Sequence, residues 1–223
     1  YEAERKRLRP EEFARRYEGE FKKMTGLVWD LPQEQMIDPL PIITKAEARI
    51  AGVDWGWENP AAIIVLYLYD NNWYVVDEWK QSHRTTAEII QVLQNKVQEH
   101  RITRLYPDPA EPDRLEECRR ANLPIMETTK DIKGGISLIQ QLIREKRLFV
   151  FNNCREFIDE ASMYHYPEPK EDEESKDLPE KFNDHLADCL RYAIHSYQPV
   201  LTKVIVQASE AVKPYYGTSE MPF

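Results

Sequence analysis

No stretch of this 223-residue sequence is long and apolar enough to cross a bilayer; the longest apolar run, Ala61 to Tyr69, falls far short of the ~20 residues a spanning helix needs. No basic, apolar, small-residue segment of the export type opens it either. Cysteine is scarce: Cys118, Cys154 and Cys189 are dispersed, odd in number and form no C-x-x-C pair. That argues against a disulfide framework and a thiolate zinc site, and fits a reducing, cytosolic setting. Positive charge is in deficit, with 30 Lys and Arg against 39 Asp and Glu, a net charge of -9. Since affinity for phosphate comes from lysine and arginine, the sum alone speaks against a nucleic-acid partner. Its distribution speaks less clearly, because Glu168 to Glu180 holds seven acids and only two lysines. No internal repeat is visible.

What is present is a dense α/β pattern from Ala48 onward. Ile50-Ala-Gly-Val-Asp54 is an apolar run that breaks at a carboxylate, turns through Gly56 and Asn59-Pro60, and resumes as Ala62 to Tyr69. Asp70-Asn71-Asn72 then predicts a hairpin turn into a strand over Trp73 to Trp79, which makes an antiparallel meander. Thr85 or Thr86 caps a helix through His100, and Arg101 to Tyr106 reads as a fourth strand reached by a parallel crossover. That strand ends in Pro107-Asp-Pro109, so Asp108 has the same setting as Asp54. A helix over about Pro112 to Ala121, a strand Leu123 to Glu127, a helix Gly135 to Lys146, a strand Leu148 to Phe151 and a helix Cys154 to Met163 continue the alternation. In the last helix, Asn183 to Tyr197, Leu186, Leu190, Ala193 and Tyr197 form an apolar stripe, while Asp184, His185 and Asp188 share another side.

Outside this block, Pro10 to Gly19 has helical spacing of Phe13, Ala14 and Tyr17, which suits an amphipathic helix docking on a neighbouring domain. Three prolines between Leu31 and Pro41 predict a linker or irregular arm. The expected organisation is an arm over 1–45, one domain over 46–199 and a tail over 200–223. The opening at Tyr1 suggests a piece of a longer chain.

Asp54 and Asp108, at the ends of parallel neighbours, are expected side by side, an unfavourable arrangement unless one is protonated or a cation bridges them. A helix across that edge would add Asp188 and Asp184. Such a set without thiolates suits Mg²⁺ or Mn²⁺, and two ions ~4 Å apart support in-line phosphodiester hydrolysis.

Ala51-Gly-Val-Asp-Trp-Gly56, Leu105-Tyr-Pro-Asp-Pro109 and Asn183-Asp-His-Leu-Ala-Asp-Cys-Leu-Arg-Tyr-Ala193 together resemble the ribonuclease H-like nuclease domain of the large terminase subunits of tailed bacteriophages, the DNA-packaging motors. The resemblance spans most of Phe13 to Tyr197, and Phe13 to Phe21 is similar to the segment that closes the family's ATPase domain. It implies an α/β fold with a mixed sheet, antiparallel meander first and parallel strands after, flanked by helices. Asp54, Asp108 and Asp188 take the places of the family's metal-binding acids, with His185 a ligand or a supporting group and Asp184 a further acidic member. The implied activity is cleavage of double-stranded DNA concatemers during genome packaging, leaving 5'-phosphate and 3'-hydroxyl ends. Implied partners are DNA, the portal protein and the small terminase subunit, with the isolated domain a monomer in the cytoplasm of the infected host. No Gly-x-x-x-x-Gly-Lys-Ser/Thr loop is present, so no ATPase site is assigned, and the chain is expected to begin just after that domain.

Other readings stay open. Asp184 suits a helix N-cap as well as a ligand, and Trp55 and Trp57 suit core packing as well as a sugar-phosphate path. Lys130 and Lys133, before a helix that ends in Arg144, are candidates for DNA contact, with a phosphate received at the helix N-terminus. Competing functions are a junction-resolving nuclease of the same architecture and a non-catalytic docking domain whose acidic run, Glu168 to Glu180, faces a protein. That run is also a candidate gate for DNA entry.

Overall fold

The computed structural model describes residues 26–40, 45–167 and 178–197. The expected helix at Pro10 to Gly19, most of the acidic run and the tail lie outside them. A 3-10 turn at Gln33–Gln35 leads into β1 (Met36–Ile37), followed by β2 (Ala48–Asp54), β3 (Ala61–Tyr69) and β4 (Asn72–Gln81). After them come α1 (Thr86–His100), β5 (Arg104–Pro107), α2 (Pro112–Arg120), α3 (Ile132–Arg144), β6 (Leu148–Phe151), α4 (Arg155–Ala161) and α5 (His185–Ser196). The six strands form one mixed sheet in the order β1-β6-β4-β3-β2-β5. The meander β2-β3-β4 is antiparallel, and β5 lies parallel to β2 as the crossover through α1 requires.

Local chemistry accounts for these elements. Asp70 and Asn71 both have positive φ, the conformation a two-residue hairpin needs, and both residue types tolerate it. Thr85 and Glu88 form a reciprocal capping box at the start of α1. In β3 the run Ala61 to Leu66 is buried throughout, as an unbroken apolar stretch in a central strand should be.

Two stretches differ from the sequence reading. Leu123 to Glu127 forms no full strand; it meets β5 in a single parallel bridge, Leu105 to Ile125. The segment with three prolines is not free of the sheet. Its residues Met36 and Ile37 pair with β6, while Val28 and Trp29 are buried in the same core as the strands. Pro32 and Pro39 flank these residues without removing a ladder hydrogen bond.

Helices cover both faces of the sheet. Gly52 and Asp54 face α5, which packs on β2, β3 and β5 with α3 and α4 against it. Arg49 and its cross-strand partner Tyr67 face the other way, where the Tyr67 hydroxyl meets His100 Nδ1 of α1 at 2.8 Å. Gly52 fixes the depth at which α5 sits: a Cβ there would lie 1.9 Å from the Cys189 carbonyl oxygen. Replacing Gly52 with Ala forces two backbones apart. We expect a loss of about 3 kcal/mol or more in stability, read as a lower denaturant midpoint.

Candidate metal centre

Register places the first two carboxylates. Val53 of β2 pairs with Pro107 of β5, and the Asp108 amide donates to the Val53 carbonyl at 2.8 Å, so Asp54 and Asp108 leave adjacent strand ends together. α5 crosses this edge and supplies Asp184, His185 and Asp188. All five line one open cleft of about 990 Å³, whose wall also includes Lys130, Arg191, Trp55 and Trp57.

How α5 is fixed there was not visible in the sequence. Asp184 occupies the N-cap position, but its side chain makes no capping hydrogen bond. The carboxylate of Glu160 caps the helix instead, accepting the Ala187 amide at 2.7 Å. Glu160 is fully buried and ion-paired with Lys80 at 2.6 Å, and Lys80 also donates to the Asn183 side chain at 2.7 Å. Burial pushes the Glu160 carboxyl up to about 7, against the pull of Lys80 and the Ala187 amide. α4 is itself capped from outside: Glu78 of β4 accepts the amides of Glu156 and Phe157 at 2.9 and 2.8 Å.

The electrostatics of the cleft are those of crowded acids. Burial raises Asp54 above the usual carboxylate range, and the charges of Asp188 and Asp108 add to the shift, opposed by a 2.9 Å hydrogen bond to His185 Nδ1. Burial also raises Asp184, with Asp188 adding to it. His185 moves upward despite burial because Asp54 stabilises its imidazolium. Asp108 Oδ1 accepts the Ala110 amide at 2.9 Å and lies 2.7 Å from Lys130 Nζ. Asp188 Oδ1 lies 2.7 Å from Arg191.

Among the described residues, one trio brings its ligand atoms all within 4.8 Å of one another: Asp77, Glu99 and His100. It lies at α1 and β4, away from the cleft, and Lys96 contacts the Asp77 oxygen that also meets His100. This is a charge-paired latch between helix and sheet. Burial acts to raise Asp77, but His100 and Lys96 outweigh it and hold the carboxyl at about 2. Its stabilising contribution is therefore present above the ordinary carboxyl range and lost as pH falls through about 2. Asp77→Asn should remove about 2 kcal/mol at neutral pH and flatten the stability profile below pH ~4, measured by chemical unfolding across pH.

The cleft acids are spread more widely than that trio. An oxygen donor set, an Asp184 side chain that makes no capping hydrogen bond, and acids raised by burial with neighbouring carboxylates adding to it, fit hard divalent cations. Asp54, Asp108, Asp184 and Asp188 would hold them, with His185 orienting Asp54.

The expected DNA-contacting residues divide. Lys130 reaches the cleft through Asp108. Lys133 does not line it, and Arg144 stands about 18 Å from Ile132 along α3. The helix starts a turn earlier than expected, at Ile132, and Asp131 caps it by accepting the Gly134 amide at 3.0 Å. A resident carboxylate thus fills the place foreseen for a phosphate. The two tryptophans also part: Trp55 donates its indole N–H to the Asp108 carbonyl at 3.0 Å, whereas Trp57 is 49% exposed at the rim. Sequence reasoning missed Arg191, although its place three residues after Asp188 on one helix was the signal for a pair. For Glu160 and Lys80 no local signal existed.

Comparison with known proteins agrees with this architecture. Residues 51–197 match the family model described as the terminase RNaseH-like domain, and the chain belongs to that family. The sheet is accordingly ribonuclease H-like. The large terminase subunit of Escherichia phage T5 is 26% identical over 201 residues, covering 82% of this chain and 45% of that protein. This chain thus spans less than half the length of that curated relative. A structure of the large terminase of a thermophilic bacteriophage, in complex with ADP, superposes with a TM-score of 0.68 at 25% identity, over 75% of this chain and 44% of that one. The large terminase nuclease domain of bacteriophage SPP1, solved with bound Mn, gives a TM-score of 0.59 at 17% identity, over 74% of this chain and 98% of that one. Among the described residues no helix is long and apolar enough to cross a membrane.

Because Glu160 holds the end of α5 that bears the ligands, its loss reaches the cleft. Glu160→Ala leaves Lys80 buried without its partner and should cost about 3–5 kcal/mol. Glu160→Gln keeps an acceptor for the Ala187 amide and should cost about half as much in thermal or chemical unfolding.

Proposed function

We propose that the cleft is a divalent-metal centre that hydrolyses phosphodiester bonds of double-stranded DNA, cutting concatemers as a viral genome is packaged. The observation that supports this most is the convergence of Asp54, Asp108, Asp184 and Asp188, from three distant segments, on one open cleft. Family membership and the Mn bound by the SPP1 nuclease domain support it further.

Two ions, Mg²⁺ or Mn²⁺, would supply the charge that activates water and stabilises the leaving 3' oxygen. The protein's part is positional. Asp54 ends β2, and Asp108 directly follows β5 with its amide tied to the Val53 carbonyl, so the sheet edge positions both. α5 aims Asp184 and Asp188 from the facing wall. His185, hydrogen-bonded to Asp54, fixes the orientation of that carboxylate and can take a proton released in the cleft. Trp55 braces the Asp108 backbone through its indole, and the exposed Trp57 offers a flat apolar surface beside the sugar-phosphate path. In this reading Lys130, Lys133 and Arg144 contact the DNA backbone, and the portal protein and small terminase subunit are the protein partners. The nuclease domain covers 46–199, with residues 26–40 packed onto it and the domain monomeric in the host cytoplasm.

A supercoiled-plasmid assay tests the reading. Nicking should require Mn²⁺ or Mg²⁺ and cease with EDTA. Asp54→Asn and Asp108→Asn should each reduce it at least about 100-fold while circular dichroism shows the fold retained. Full activity in either variant, or nicking unaffected by EDTA, refutes the mechanism.

A further inference from the structure

Three of the four cleft carboxylates carry a cation of their own. His185 is on Asp54, Arg191 on Asp188 and Lys130 on Asp108, at 2.9, 2.7 and 2.7 Å. The pairs differ in how firmly the cation is held. His185 and Arg191 both come from α5, and their side chains are 14% and 3% exposed, so helix packing fixes them. Lys130 comes from the loop before α3, its side chain is 50% exposed, and its ammonium sits at the end of a flexible four-carbon stem. Asp184 has no ion pair among the described residues and faces the cleft.

We propose that Lys130 is an exchangeable counter-charge: it holds Asp108 in the ion-free protein and swings away when a divalent ion takes that carboxylate. The proposal rests on the reading of the cleft as a metal centre. Among the described residues, the ammonium and the Ala110 amide both engage Oδ1 of Asp108 and no contact engages Oδ2. An ammonium that stayed on Asp108 would face a dication held by the same carboxylate, an unfavourable like-charge contact. Arg191 cannot answer such repulsion by leaving, because it is packed inside the helix layer. Lys130 can, since half its side chain is already in solvent. A released ammonium remains at the cleft wall, where a DNA phosphate is the nearest partner for it. Ion loading and phosphate binding thereby become linked, with Lys130 weakening the first until the second is present.

Mn²⁺ titration by calorimetry without DNA tests this on the whole chain, using wild type, Lys130→Ala, Lys130→Met, Lys130→Arg and Asp108→Asn, with circular dichroism melts to verify folding. Lys130→Met keeps most of the apolar stem, so it separates the charge from packing. Lys130→Ala and Lys130→Met should bind Mn²⁺ about tenfold more tightly than wild type, and Lys130→Arg about as wild type does. Equal or weaker Mn²⁺ affinity in both neutral variants, with binding still abolished by Asp108→Asn, overturns the counter-charge alone. Binding that Asp108→Asn leaves unchanged, or no binding in any variant, overturns the metal centre and the counter-charge together.

Discussion

The contact on which the rest of the structure depends is the one between the backbones of β2 and α5 at Gly52 and Cys189. A helix can lie this close to a strand only where the strand offers no side chain, and this depth lets α5 carry His185 within hydrogen-bond reach of Asp54. Depth alone does not fix the position along the helix axis. That is set by caps supplied from elsewhere: Glu78 of β4 caps α4, and Glu160 of α4 caps α5. Lys80 lies two residues after Glu78 on the same face of β4 and ties Glu160 to Asn183, just ahead of α5. The sheet thus positions the helix that faces it through two carboxylates and one ammonium. Burying Glu160 opposes folding, as its raised carboxyl shows, and Lys80 with the Ala187 amide offsets that cost. Capping by Glu160 has a further consequence at the cleft. A helix that begins with aspartate ordinarily spends that side chain on the amides of its first turn; here Asp184 makes no such capping bond and lines the cleft.

Most of the sheet was legible in the sequence because its signals are local. An apolar run, an Asp-Asn-Asn turn and a second apolar run specify a hairpin without knowledge of anything distant. From the meander and one crossover, the adjacency of Asp54 and Asp108 follows by topology. The i, i+3 and i+4 spacing on α5 placed Asp184, His185 and Asp188 on one side. What was missed is what local pattern cannot carry. Lys80 and Glu160 are 80 residues apart, and Gln35 reaches the Leu148 carbonyl across 113. The helix was expected to begin at Gly135, yet Gly134 and Gly135 both lie in the first turn of α3. There Gly135 is needed because a Cβ would meet the Arg191 side chain at 2.5 Å. The prolines after Leu31 resembled a linker because the strand between them has only two residues, too few for a period to show.

Charge gives the cleft its character. On a chain of net charge -9, four aspartates are gathered where the sheet ends, and two of them, Asp54 and Asp184, are raised by burial and by their neighbours. A folded protein tolerates such repulsion at a modest cost where cations lie close, and here His185, Lys130 and Arg191 supply three. They do not cancel the cluster, since Asp184 stays without an ion pair among the described residues. Under the proposed function this shortfall is what lets an acidic protein handle a polyanion. The negative potential at the cleft repels DNA until divalent ions reverse it, so ions and phosphate favour each other's arrival. Under that reading the excess of acid no longer speaks against a nucleic-acid partner, because the cations bind together with it.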